Sequence, residues 1–274
     1  MPAQRKKVLD LLVKVDRAAK HIIDLELETR RFWHDPRPYE IIPEDNLDTG
    51  ERTYYLRVHK EIPSEFCALI GDIAQNLRCA LDHLAWHLVT TSPVNPKAPD
   101  HDIYFPIFKT ASDYQAGKMR KIQGMTQAAI DAIDAIKPYY RLDTVGIGNP
   151  NLYWLSRINI QDKHRLLIPV GSAVVGHSIT KSKRAEWAHV FQNAFGSPNA
   201  NVTMPSPVLD SPLENGSKLC TLPIAEVDDD MKFRFHIAFG EPAGIRGKEV
   251  LSTLKDMHRI VKGIVFDFDA KGLL

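Results

Sequence analysis

The chain has 274 residues, 44% of them hydrophobic and 25% charged, with 15 Gly and 18 Pro, which is the balance of an ordinary globular protein. That composition excludes collagen-like, low-complexity and wholly disordered chains, and 35 basic against 34 acidic residues, a net charge of +1, advertises no broad polyanion-binding surface. Cys67, Cys79 and Cys220 are odd in number and lack CxxC spacing, which argues against a disulfide framework and against a cysteine-rich zinc site. A reducing cytosol is the expected compartment. No run reaches the roughly 20 apolar residues of a membrane span, so no membrane partner is expected. The stretch from Val8 to Leu27 is broken by charges, unlike a signal peptide.

Val8, Leu12, Val15, Ala19, Ile22 and Ile23 recur at helical steps, predicting an amphipathic helix to about Phe32 that ends near Asp35-Pro36. The β-prone runs Tyr39 to Pro43 and Thr53 to Ile62 flank Asp48-Thr49-Gly50, a hairpin with a longish loop. Ser64 is placed to cap a second helix that Leu69, Ile73, Leu77, Leu84 and Leu88 carry to about Val89. Three prolines between Thr91 and Asp100 make that stretch a loop, and Ile103 to Phe108 reads as an extended piece laid over a core. Two shorter helices follow, the second from Thr126 to Pro138. Val145-Gly146-Ile147-Gly148 reads as a turn, and Pro150 opens a helix ending at Asp162-Lys163-His164-Arg165. Strands are predicted at 166–175, 218–227 and 231–240, the last with Phe233, Phe235, Ile237 and Phe239 inward and Arg234 and His236 in water. A closing helix from Lys248 to about Val265 is placed to cover them. The fold class is therefore α+β: a helical bundle with an inserted β-hairpin over 1–165, then a small antiparallel sheet with a C-terminal helix over 166–274, either as a second domain or continuous with the first.

The richest stretch runs from Gly71 to His87. At 100° per residue Asp72, Asn76, His83 and His87 form one polar stripe beside the apolar face. A histidine pair four residues apart can chelate a divalent ion from one side of a helix, so Asp72, His83 and His87, with Asp162 or His164 from another helix, form a candidate site for Fe, Mn or Zn. On another reading the stripe is a set of polar packing contacts and the protein is a non-catalytic interaction partner. No P-loop, GxGxxG, GxSxG or HExxH occurs, so nucleotide hydrolases, classical dehydrogenases, α/β-hydrolases and thermolysin-like proteases have no sequence support.

Arg78 and His83 stand in an Arg-x4-His spacing, with Asp82 between them. This resembles the RNA-cleaving motif of the HEPN superfamily, with Cys79 where that family usually has Asn, Asp or His. The resemblance implies a helical homodimer, either an RNase or a catalytically silent RNA-associated relative, needing no cofactor. In such a site His83 would assist proton transfer at the ribose 2′-hydroxyl and Arg78 would stabilise phosphate charge. RNA is then the expected partner, because DNA lacks that hydroxyl. The two side chains diverge by about 140° around one helix, so they converge only through reach or across a dimer, while Arg78 and Asp82 are spaced for an ordinary surface ion pair. Asn76, Lys163 and Arg165 are the candidate substrate contacts, although cations at a helix C-terminus also complement its dipole. The segments around Gly71 to His83, Phe105-Pro106-Ile107 and Asp162 to Arg165 look like those of an uncharacterised group of bacterial proteins, which adds no mechanism. Trp86, Trp154 and Trp187 read as core or interface anchors, and Lys118, Arg120 and Lys121 as a solvated basic face open to phosphates.

Overall fold

The structure, a computed structural model, describes residues 3–34, 38–141, 148–165, 170–178, 180–197, 203–205, 212–227 and 231–274. The predicted helix stop at Asp35-Pro36, the turn at Val145 to Ile147 and the start of the 166–175 strand lie outside those residues. The chain is α+β, with helices and small sheets divided between two compact units. The first holds residues 1–28, 64–168 and 250–274, and the second residues 29–63 and 169–249.

The first unit is helical. Helix α1 (Ala3–His34) contributes its first part here and its end to the second unit. Helix α2 (Glu65–Thr90) is central: Ile70, Ile73, Ala74, Leu77, Leu81 and Leu84 are wholly buried, each large aliphatic contributing about 1.5–3 kcal/mol. Ser64 makes no side-chain capping bond, because its own backbone is already helical. After the proline-rich loop, Ile103 and Phe105 lie buried in an extended segment. A short parallel pair, β3 (Phe108–Thr110) with β4 (Tyr139–Arg141), brackets α3 (Ala111–Ile122) and α4 (Gln127–Ile136). Thr110 and Thr126 cap these two helices, accepting from Asp113 N and Ala129 N. Asp134 ties them together, accepting from the Tyr114 hydroxyl and from Lys118 Nζ at 2.7 Å. Helix α5 (Pro150–Arg165) buries Leu152, Leu155 and Ile158. The C-terminal helix, named α7 below, packs against α2 and α5.

The second unit holds the antiparallel strands. Strands β1 (Tyr39–Asn46) and β2 (Glu51–Val58) form the predicted hairpin, closed where Asn46 Oδ1 accepts from Asp48 N and Thr49 N and where Gly50 takes φ +68°. Strand β5 (Val170–Ser178) lies between β6 (Thr203–Pro205) and β8 (Phe233–Phe239), and β7 (Lys218–Pro223) pairs with β2. Helix α6 (Lys181–Phe195) falls between β5 and β6, and α7 (Val250–Ala270) returns the chain to the first unit.

Three expectations change. The hairpin is not an insert in the bundle: β7 joins it in a three-stranded sheet around Tyr54, Leu56, Leu219 and Val227, because those apolar side chains share one core. The units therefore do not divide at residue 165, and the C-terminal helix belongs with α2 and α5 rather than with the strands. His236 is also not in water alone; its Nε2 bonds the Gly247 carbonyl at 3.1 Å.

Candidate functional site

Helix α2 is buried on most of its circumference and leaves one narrow strip, Asp72, Asn76, Cys79, His83, Trp86 and Thr90, at steps of three and four. The predicted stripe is this strip and its edge, with Asp72 and His83 exposed and Asn76 and His87 half-buried. Arg78 is elsewhere. It is 8% exposed, and its Nη2 donates to the Phe105 carbonyl at 2.8 Å and meets Asp82 Oδ1 at 2.8 Å. The same carboxylate oxygen accepts from Phe105 N at 2.9 Å. One ion pair on consecutive turns of α2 thus satisfies both backbone groups of Phe105 and fastens the extended segment to the helix. Burial pushes the Asp82 carboxyl up, against the opposing pull of Arg78. Lys121 stands near both, its Nζ 5.1 Å from the Phe108 ring centre, with its ammonium pushed down by burial and then by Arg78.

This geometry corrects the surface-pair reading of Arg78 and Asp82, and it does not bring Arg78 to the solvent side where His83 lies. The sequence hid the burial because an isolated ion pair at four-residue spacing is ordinary on a helix exterior. The signal that separates the cases is the apolar residues on both sides of Arg78, Leu77 and Leu81, on a helix apolar nearly all round.

The metal-ligand set does not assemble. Among the described residues no group of three or more His, Cys, Asp or Glu side chains is placed to hold an ion. Asp72 and His83 are eleven positions apart, about 16 Å along the helix. Asp162 instead sits against α2 at Gly71, where an added Cβ would run into its carboxylate. Its pKa is raised, first by burial and then by Asp72. Lys163 and His164 are exposed in the last turn of α5, where cations meet the negative end of the helix dipole; the Arg165 side chain lies outside the described residues.

His83 and His87 open together into a small pocket of about 180 Å³ with Asp10 and Leu11. Farther along the same two helices, Asn76 lines a groove of about 370 Å³ with Val13, Lys14, Asp16, Arg17 and Lys20. The helices run oppositely, since α1 advances from Asp10 to Lys20 as α2 recedes from His87 to Asn76. The Asn76 amide donates to Asp72 O at 2.8 Å, which turns its carboxamide oxygen into the available acceptor. Two histidines therefore lie at one end of an α1–α2 face and three cations at the other. Asp10, Lys14 and Arg17 were not singled out from the sequence; their four- and three-residue steps beside the apolar face of α1 were the signal.

No family model, curated protein or solved structure matches the chain.

The remaining candidates are accounted for within the chain. Lys118 pairs with Asp134 and Arg120 with Asp102, so the expected free basic face is largely neutralised. Trp86 and Trp187 are 42% and 36% exposed, which removes the core half of their reading as core or interface anchors and puts Trp86 one turn from His83. Cys220 is half-buried, and burial pushes its thiol up to about 11, which suppresses thiolate chemistry. The second unit has a cavity of about 430 Å³ lined by Tyr39, Glu61, Ser172, Leu213, Glu214 and Asn215. Asn215 there already accepts from Val58 N at 2.9 Å. Among the described residues no helix is long and apolar enough to cross a membrane.

Proposed function

We propose that the protein binds RNA along the α1–α2 face of its first unit and cleaves it without a metal, with His83 and His87 moving the protons. The observation that carries this reading is the opening of both imidazoles into one pocket with Asp10, in line with a groove lined by Lys14, Arg17 and Asn76. Histidine is the side chain that exchanges protons near neutral pH. Side chains four residues apart on a helix stand about 5–6 Å apart at Cβ, which spans a phosphodiester. One imidazole takes the proton of a ribose 2′-hydroxyl as its oxygen attacks the adjacent phosphorus. The other gives a proton to the departing 5′-oxygen, leaving a 2′,3′-cyclic phosphate and a 5′-hydroxyl. Lys14 and Arg17 balance neighbouring phosphates, and Trp86 offers a face on which an unpaired base can stack. Arg78 has no place at the reacting atoms. Its role is to hold the 103–108 segment, so the RNA reading drawn from the Arg-x4-His resemblance is retained with a different pair of residues.

The test is cleavage of end-labelled single-stranded RNA in excess chelator. We expect cyclic-phosphate ends, no cleavage of a 2′-deoxy substrate, and a loss of at least about 100-fold in both His83→Ala and His87→Ala. Cleavage that vanishes with chelator, or that survives both substitutions, overturns the reading, as does the absence of any RNA binding.

A further inference from the structure

Helix α1 has two opposed long faces. Leu11, Leu12, Val15, Ala18, Ile22 and Leu25 are buried. On the other side Leu9, Val13, Ile23 and Leu27 are 45%, 60%, 57% and 46% exposed, with Asp16 and Lys20 exposed between them. These six residues follow at steps of four, three, four, three and four, and they fall within about 40° of one line. That is the a/d seam of a two-stranded coiled coil, about 27 Å long. Four large aliphatics in water along one seam are unusual for a surface with no partner.

The seam is also palindromic. Leu9 and Leu27 stand nine positions either side of residue 18, Val13 and Ile23 five, and Asp16 and Lys20 two. We propose that this face is covered by a second copy of the chain, the two α1 helices packing antiparallel about a two-fold axis at Ala18. Leu9 then meets Leu27 of the other copy and Val13 meets Ile23, each pair formed twice. Asp16 meets Lys20 twice at the centre, so the polar middle of the seam becomes complementary. A parallel pair would set Asp16 against Asp16 and Lys20 against Lys20, so the charges select the antiparallel order.

A two-fold axis that reverses one helix against another runs perpendicular to both, so it keeps the same flank uppermost in each copy. Asp10, Lys14 and Arg17 lie about 80–140° round from the seam, outside the contact. Val13, Asp16 and Lys20 belong both to the seam and to the wall of the α1–α2 groove, so the second copy borders each groove along that edge. Lys20 pairs across the dimer, and Lys14 and Arg17 remain as the groove's cations on one face of the dimer. Position 10 of one copy aligns with position 26 of the other, so the two histidine pairs lie about 24 Å apart along the helix direction. Only this consequence rests on the proposed RNA function; the dimer rests on α1 alone.

The seam is near the lower size limit of specific interfaces, so the full-length chain, free of RNA, is examined by sedimentation equilibrium from about 1 µM to 1 mM. We expect a monomer–dimer equilibrium that Asp16→Lys and Lys20→Asp each weaken at least about tenfold, since each sets like charges together twice. Mixing those two variants restores a dimer, as a heterodimer distinguished by native mass spectrometry, and the Asp16→Lys/Lys20→Asp double exchange restores the homodimer. A disulfide forms when Val13→Cys is mixed with Ile23→Cys and not in either alone, a readout that needs only surface positions. A chain monomeric throughout, a dimer indifferent to charge reversal, or self-crosslinking of Val13→Cys overturns the proposal, and so does a seam occupied only by a different protein. A dimer that leaves RNA uncut refutes the function and not the interface.

Discussion

Replacing Asp82 with Ala removes one carboxylate oxygen that serves two partners, Arg78 Nη2 at 2.8 Å and Phe105 N at 2.9 Å. The Arg78 guanidinium, whose side chain is 10% exposed, then keeps its charge with no counter-ion, and its Nη1 already has no hydrogen-bond partner. Losing one member of a buried pair costs about 3–5 kcal/mol, and the orphaned Phe105 amide belongs within that figure. Set against a typical stability of about 5–15 kcal/mol, this is a large loss. It corresponds to a fall of about 6–20 °C in Tm for a unit of this size. Replacing Arg78 with Met as well removes the stranded charge, so the double variant should be more stable than Asp82→Ala although it carries one more substitution. Urea unfolding followed by circular dichroism gives the four stabilities of the cycle, and hydrogen exchange at the Phe105 amide reports the clasp itself. The Phe105 amide should be protected in the native chain and exchange rapidly in Asp82→Ala. Additivity within about 0.5 kcal/mol, or an unchanged Phe105 amide, would refute the clasp.

Gly71→Ala should destabilise the chain by about 1–3 kcal/mol through overpacking against Asp162. Asp162→Ala in the same chain should relieve most of that loss, which thermal unfolding measures. Because burial and then Asp72 raise the Asp162 pKa in the folded state, the native protein binds its proton more tightly than the unfolded chain does. Its contribution to stability is therefore full below the unfolded carboxylate value and is lost as pH rises through the raised one. Asp162→Asn should abolish that downward slope in stability against pH and leave the chain more stable at neutral pH; an unchanged slope would contradict the assignment. Thr126→Ala removes the cap of α4, which accepts from Ala129 N at 3.3 Å, and should cost about 1 kcal/mol in urea unfolding.

The elements most legible in the sequence are those whose residues answer to local rules. Pro150 and the capping Thr126 mark α5 and α4, and the leucines and isoleucines of α2 mark a core helix whatever they pack against. What escapes is non-local. Helix α6 buries Phe191 alone among its described large hydrophobics below the surface, so it shows no apolar stripe, although Trp187, Phe191 and Phe195 step by four. Strand β7 looks equally suited to either sheet, and only the shared core of Tyr54 and Leu219 selects its partner. In the site, the polar strip from Asp72 to His87 follows from helical angles, whereas the partner residues on α1 depend on how two helices pack. The Arg78 spacing resembles a catalytic motif because sequence distance carries no burial. Its depth is set by Phe105, 27 residues away.

The most direct test of the RNA reading follows the histidine imidazole resonances by NMR while a short 2′-O-methyl RNA, which cannot be cut, is added in chelator. Saturable shifts are expected at His83 and His87, weakened by Lys14→Glu and Arg17→Glu, with His177 and His236 of the second unit unmoved. Shifts confined to His177 or His236, or no saturable shift at His83 and His87, would contradict that reading.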